Sequence, residues 1–244
     1  MRRLAAFFPI VIAFGAISLA PLAAARADGR EEGPFEIEKC QTIDKPGSYK
    51  LVNNLTFSSL TGTCLTITAS FVTIDLAGFT ISGQSVTATA IEAGNDTTGI
   101  AVRNGTISSF GSGVDLRGNS SIVEGLRVFR GGGFPSFLGI AATGIVRGNT
   151  VVGLVGVPGN PDVSISAIGI VTGNYVSGFR FTGISVGQGS TVIGNTSTPA
   201  RGAAPGHGII ADCPSNVTDN TASSIFLNGT GCNDTNNVIG ALSG

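Results

Sequence analysis

One short pattern, written several times between Gly99 and Asn220, constrains this chain more than any other feature. Gly-Ile or Gly-Val opens a strand at Gly99-Ile100, Gly113-Val114, Gly139-Ile140, Gly183-Ile184 and Gly208-Ile209. Asn149, Asn174, Asn195 and Asn220 recur 25, 21 and 25 residues apart, each ahead of a short β-branched or polar run. A period in that range, with strand chemistry and no helical periodicity, predicts a solenoid. Each coil can bury its apolar edge only by stacking on its neighbours. Stacked strands would lie ~4.8 Å apart and share hydrogen bonds from coil to coil. The predicted inward columns are Ile100, Val114, Ile140, Ile184 and Ile209, and Ile107, Val128, Val151 and Val176. The alternating residues Ala101, Asp115, Ala141, Ser185 and Ile210 then point outward. Asn104, Asn149, Asn174, Asn195 and Asn220 read as a turn ladder. Asparagine tolerates the left-handed backbone region, and stacked side-chain amides bond to one another. Gly125 stands at the matching place in the coil that lacks the asparagine.

Composition fits many tight turns between short buried strands. The 244 residues include 37 glycines, 42% are apolar, and only 12% are charged, about half the usual share. Net charge is −1 and no basic run follows the N-terminus, which argues against a nucleic-acid partner. There is no tryptophan and there are two tyrosines, so a stacking platform for bases is poorly supplied.

The chain begins with Arg2-Arg3, an apolar run from Leu4 to Ala20, and Ala25-Arg26-Ala27, the layout of a signal peptide over residues 1–27. Cleavage after Ala27 would leave no apolar run long enough to span a membrane. The expected location is therefore secreted or periplasmic, and a monomer is expected. Residues 28–38 are acidic and lack periodicity, and read as a flexible leader. Residues 39–244 form the folded domain. Its first coil is predicted from Leu65-Thr66-Ile67-Thr68, Val72-Thr73-Ile74-Asp75-Leu76 and Phe79-Thr80-Ile81-Ser82, three alternating runs separated by turns of a few residues.

Those runs, preceded by Pro46-Gly47-Ser48-Tyr49-Lys50-Leu51 and closed by Gly83, resemble the opening coils of bacterial parallel β-helix repeat proteins of the pectin-lyase-like superfamily. The resemblance covers roughly Cys40 to Val238. It implies an all-β, single-stranded right-handed parallel β-helix of about seven to eight coils, and it says little of activity, because the superfamily holds lyases, hydrolases, epimerases, tailspikes and adhesins alike. Four cysteines after a signal peptide imply two disulfides, with three pairings open. Cys40 and Cys64 are 24 residues apart and Cys213 and Cys232 are 19 apart, each about one coil, which would bring each pair onto adjacent rungs.

Catalytic chemistry is sparse. Gly206-His207-Gly208 resembles a tripeptide of the polygalacturonase-like members, but the adjacent Asp-Asp pair and the downstream Arg-Ile-Lys are missing. His207 is the single histidine and no Cys-x-x-Cys occurs, so no metal site is expected. Ca²⁺, bound through clustered carboxylates in the lyases, enters only if this chain is a lyase. No other cofactor is expected. Asp162 and His207 are the candidate catalytic groups. Three inserts, Arg130 to Leu138, Val155 to Asp162 and Thr198 to Pro205, fall at equivalent points and would stack into a wall beside the Gly-Ile sheet. Asp115, Arg130, Phe134, Phe137, Arg180 and Arg201 are the ligand-binding candidates, since Arg and Phe pack on sugar rings and Arg pairs with carboxylates. The expected role is non-catalytic binding of an acidic polysaccharide or cell-surface glycan, or a structural role. The alternative is a polysaccharide lyase, hydrolase or epimerase with a divergent site.

Overall fold

The structure is a computed structural model that describes residues 33–130, 137–153, 162–200 and 206–240. Residues 1–27, assigned to the signal peptide, and 28–32 lie outside the described residues. The described residues form strands without a helix, and the strand pairs are parallel. The chain winds as an all-β, right-handed parallel solenoid with three faces per coil.

On the first face Ile43, Ile67, Ala93, Leu116, Ala142, Ala167, Val186, Ala211 and Leu227 lie in register. Beside them run Leu65, Ile91, Val114, Ile140, Ile165, Ile184, Ile209 and Ile225. The second face stacks Val123, Val146, Val171, Val192 and Val217, all fully buried. The third stacks Val128, Val151, Val176, Ser197 and Ala222. Each fully buried Val or Ile contributes ~1.5–3 kcal/mol of transfer free energy, so the columns together supply the fold's main driving force.

The expected Gly-Ile column is present from Val114 onward, with Ile165 as a further member. Ile100 is not in it. Ile100 is buried, but it precedes the second-face strand segment in which Ala101 pairs with Thr73, and its carbonyl accepts the Ile122 N–H at 2.8 Å. Ala101 likewise leaves the outward column of Asp115. The reason lies in the glycines. Gly99 is a turn residue with φ +67°. Gly113 and Gly183 instead sit where an added Cβ would strike the backbone carbonyl of the next coil, at Gly139 and Gly208. The same dipeptide serves two different geometries.

The asparagine ladder holds, with one shift. Asn149, Asn174, Asn195 and Asn220 each donate a side-chain Nδ2 to the Oδ1 of the next asparagine at 3.0 Å, and the series ends on Asn237. The left-handed residues are their predecessors: Gly148, Gly173, Gly194 and Asp219, with φ between 56° and 64°. Asn104 (φ 61°) and Gly125 (φ 62°) belong to that preceding position. Asn104 is therefore outside the ladder and bonds Asp75 instead. Gly125 does not replace a ladder asparagine, because Leu126 occupies the ladder position and donates its N–H to Asn149.

A strand is present ahead of residue 39, within the stretch read as a flexible leader. Phe35–Ile37 pairs in parallel with Gly47–Leu51, and Ile37 is fully buried. Three residues are too few to show alternation, and the neighbouring coil supplies their partners. This strand and the last three, Ile225–Asn228, Asn233–Thr235 and Val238–Ile239, lie beyond the stretch whose repeats are legible. The coil count differs slightly from the seven to eight expected, and the fold class is the one expected.

The disulfides join the expected pairs. Cys40–Cys64 has a Cα separation of 4.5 Å and Cys213–Cys232 one of 5.0 Å, each spanning one coil. Two disulfides are consistent with an extracellular or periplasmic location.

Candidate functional site: a groove on the first face

The inward isoleucines of the first face force the alternate residues outward. Glu92, Asp115, Ala141, Ser166, Ser185, Ile210 and Phe226 therefore form one outer column, one residue per rung. The middle of this column is small, and a groove of about 470 Å³ lies over it. Ala141, Ser166 and Ser185 make the floor, Asp115 and Arg117 stand at one end, Asp212 at the other, and Ile168 lines a side. At ~4.8 Å per rung, the column from Asp115 to Ile210 runs roughly 19 Å along the solenoid.

The polar ends differ. Asp115 is only 5% exposed and accepts the Arg117 guanidinium as a fork: Nε lies 3.1 Å from both carboxylate oxygens and Nη2 2.7 Å from Oδ2. These hydrogen bonds and the carboxylate's charge hold the Arg117 guanidinium above its usual pKa. One rung away, Glu92 accepts the Thr63 hydroxyl at 2.7 Å. Asp212 accepts the Asn228 amide at 3.0 Å and, among the described residues, has no cation within ion-pair reach. Past the groove, Phe226 is 50% exposed, with its ring centroid 5.3 Å from that of His207.

The predicted site residues do not converge there as a set. Asp115 does line the groove. Arg130 and Asp162 are both buried and form an ion pair with each other, Nη1 to Oδ2 at 3.3 Å. Burial pulls the Arg130 guanidinium below its usual pKa, and the Asp162 charge opposes that. Asp162 also accepts the backbone N–H groups of Arg180 and Phe181, the latter at 2.8 Å. Its carboxylate thus ties the root of one insert to the root of another and to the coil above, and is not presented to solvent. Arg180 is half-buried. His207 is exposed beside Phe226 and makes no hydrogen bond to Asp162. Phe134 and Arg201 lie outside the described residues. Phe137 is described in its backbone alone, where it pairs with Asp162. The described residues flanking all three inserts leave the third face and enter the first. Of the arginines expected to form a wall, Arg130 through its side chain and Arg180 through its backbone N–H both meet Asp162, and neither lines the groove.

Glu92, Arg117, Asp212 and Phe226 escaped the sequence reading. A signal existed: Ile91-Glu92-Ala93 and Val114-Asp115-Leu116 both set an acid between two inward apolar residues, and so mark the same outer column. Their register, 23 residues apart, needed the structure.

Fold and groove together define a right-handed parallel β-helix with an open cleft along one outer face. No known protein family matches the chain, and no curated protein does. Among solved structures the chain is similar to the crystal structure of the enzymatically active domain of bacteriophage CBA120 tailspike protein 2, at 13% identity and a TM-score of 0.38. The match covers 84% of this chain and 42% of that one, so the chain spans less than half its length. The fold rests on the strand register above and not on this likeness.

Proposed function

We propose that this chain is a secreted or periplasmic polysaccharide-binding protein of the pectin-lyase-like kind, released by cleavage after Ala27 and acting as a monomer without catalysis. One observation carries this reading: the groove floored by Ala141, Ser166 and Ser185 and bounded by Asp115–Arg117 and Asp212. Hydroxyls and carboxylates along a shallow, elongated track suit the hydroxyl-rich edge of a glycan chain, where many modest hydrogen bonds add up along the polymer. The test is a glycan array followed by calorimetry on the ligand found, beside a Ser166→Trp variant that fills the floor. Binding by the parent that the variant loses, with an unchanged far-UV spectrum, supports the reading. Equal binding by both removes the groove as the site.

A second reading, a glycoside hydrolase, is favoured by the register of Glu92 with Asp115. Two carboxylates on adjacent rungs of one outer column are the kind of pair that glycosidases use. Asp162 is engaged with Arg130 and two backbone N–H groups, so this pair, and not Asp162 with His207, is the one to test. Release of reducing ends by the parent, lost in Glu92→Gln, would replace the binding reading with this one.

A further inference from the structure

The groove's charges bear on which glycan it takes. Its charged lining among the described residues is Asp115, Arg117 and Asp212, with Glu92 one rung beyond. Arg117 is the one cation in that lining, and Asp115 holds its Nε/Nη2 edge through three hydrogen bonds. A uronate carboxylate entering the groove would meet only the outer Nη edge of a guanidinium whose charge Asp115 already offsets. It would also approach Asp212, a carboxylate with an amide partner but, among the described residues, no cation. Like charges facing each other across a groove cost affinity. The floor offers the Ser166 and Ser185 hydroxyls, which bond sugars of any charge. An ammonium group donates three hydrogen bonds and carries the complementary charge, so it matches what Asp212 lacks.

We infer that the groove takes a polysaccharide whose sugars carry free amino groups, with Asp212 receiving an ammonium and Asp115 disfavouring uronates by offsetting the charge of Arg117. This rests on the polysaccharide reading of the groove given above. It differs from the acidic ligand expected from the arginines, and those of them that are described do not line this groove.

The test uses calorimetry on the mature protein with three probes of matched length: oligomers of glucosamine, of N-acetylglucosamine and of galacturonic acid. Titrations are run below the pKa of the sugar amines. The glucosamine oligomer should bind at least tenfold more tightly than the other two, and added salt should narrow the gap. Asp212→Asn should lower glucosamine binding about tenfold and leave N-acetylglucosamine binding unchanged. Asp219→Asn, which removes an exposed acid outside the groove, should change neither. Asp115→Asn should release Arg117 and improve galacturonate binding severalfold. Equal affinity for the acetylated and free amines, or tighter binding of galacturonate by the parent, overturns the inference and leaves a glycan groove standing. An Asp212→Asn protein that binds like the parent overturns it as well. Failure of all three probes to bind removes the glycan reading itself.

Discussion

Asn174→Ala is the most informative perturbation of the fold, because the structure shows what each lost atom was holding. The Asn174 side chain is 2% exposed. Its Oδ1 accepts both the backbone N–H and the side-chain Nδ2 of Asn149, each at 3.0 Å. Its Nδ2 donates to the Val146 carbonyl at 2.9 Å and to Asn195 Oδ1 at 3.0 Å. Alanine therefore strands two donors of Asn149, which is itself 1% exposed, and leaves the Val146 carbonyl without the amide. A buried group left unsatisfied costs about 1–3 kcal/mol, so the expected loss is roughly 3–5 kcal/mol. The same change at Asn237 removes the same kind of acceptor from Asn220, but Asn237 is half-buried in the last coil, where water can substitute. About 1 kcal/mol is expected there. With no tryptophan in the chain, urea unfolding is followed by circular dichroism and compared at constant m-value. For a chain of this size 3–5 kcal/mol corresponds to a melting point lowered by roughly 6–20 °C. Equal losses at Asn174 and Asn237, or a loss below 1 kcal/mol at Asn174, would show that the ladder follows the fold without holding it.

Ile140→Asp places a carboxylate in the fully buried first-face column and should abolish recovery of folded protein, whereas Ala141→Asp, on the groove floor, should leave the fold intact. Equal yields of soluble, folded protein would contradict the strand phase. Ser164 stands among the column glycines with its hydroxyl buried and, among the described residues, without a hydrogen-bond partner, so Ser164→Ala should raise stability by ~1 kcal/mol in the same urea assay. Replacing Cys40 and Cys64 by serine opens a one-coil loop and should cost ~2–4 kcal/mol by thermal unfolding, with the groove's ligand affinity unchanged because the bridge lies at the other end of the stack. Asp162→Ala leaves the Arg130 charge buried without its carboxylate and should cost about 3–5 kcal/mol, part of which Arg130→Met in the same chain should restore. A double variant no more stable than the single would show that the two side chains act independently.

The sequence by itself determined the coil. Its period, its alternation of inward Ile and Val with outward small residues, and the one-coil spacing of its cysteines all lie within some 25 residues, the length over which one turn of chain returns to its starting face. Stacking repeats that unit, so local pattern and global fold carry the same information. Where they part is instructive. Gly99-Ile100 and Gly139-Ile140 are the same dipeptide, and only the packing against neighbouring coils makes the first a left-handed turn and the second a column member. The asparagines were legible as a ladder, but which residue of each turn takes the left-handed conformation was not, since Asn and Gly both accept it. The site was decided almost wholly by tertiary structure. Asp115 could be placed outward from alternation, yet its engagement with Arg117 and the arrival of Asp212 at the far end of the same groove depend on several coils in register. Asp162 and Arg130 read as surface charges beside inserts, and burial against each other turned them into a structural pair. A charge's role is set by what desolvates it and what faces it, and those neighbours come from other coils, where no period in the sequence announces them.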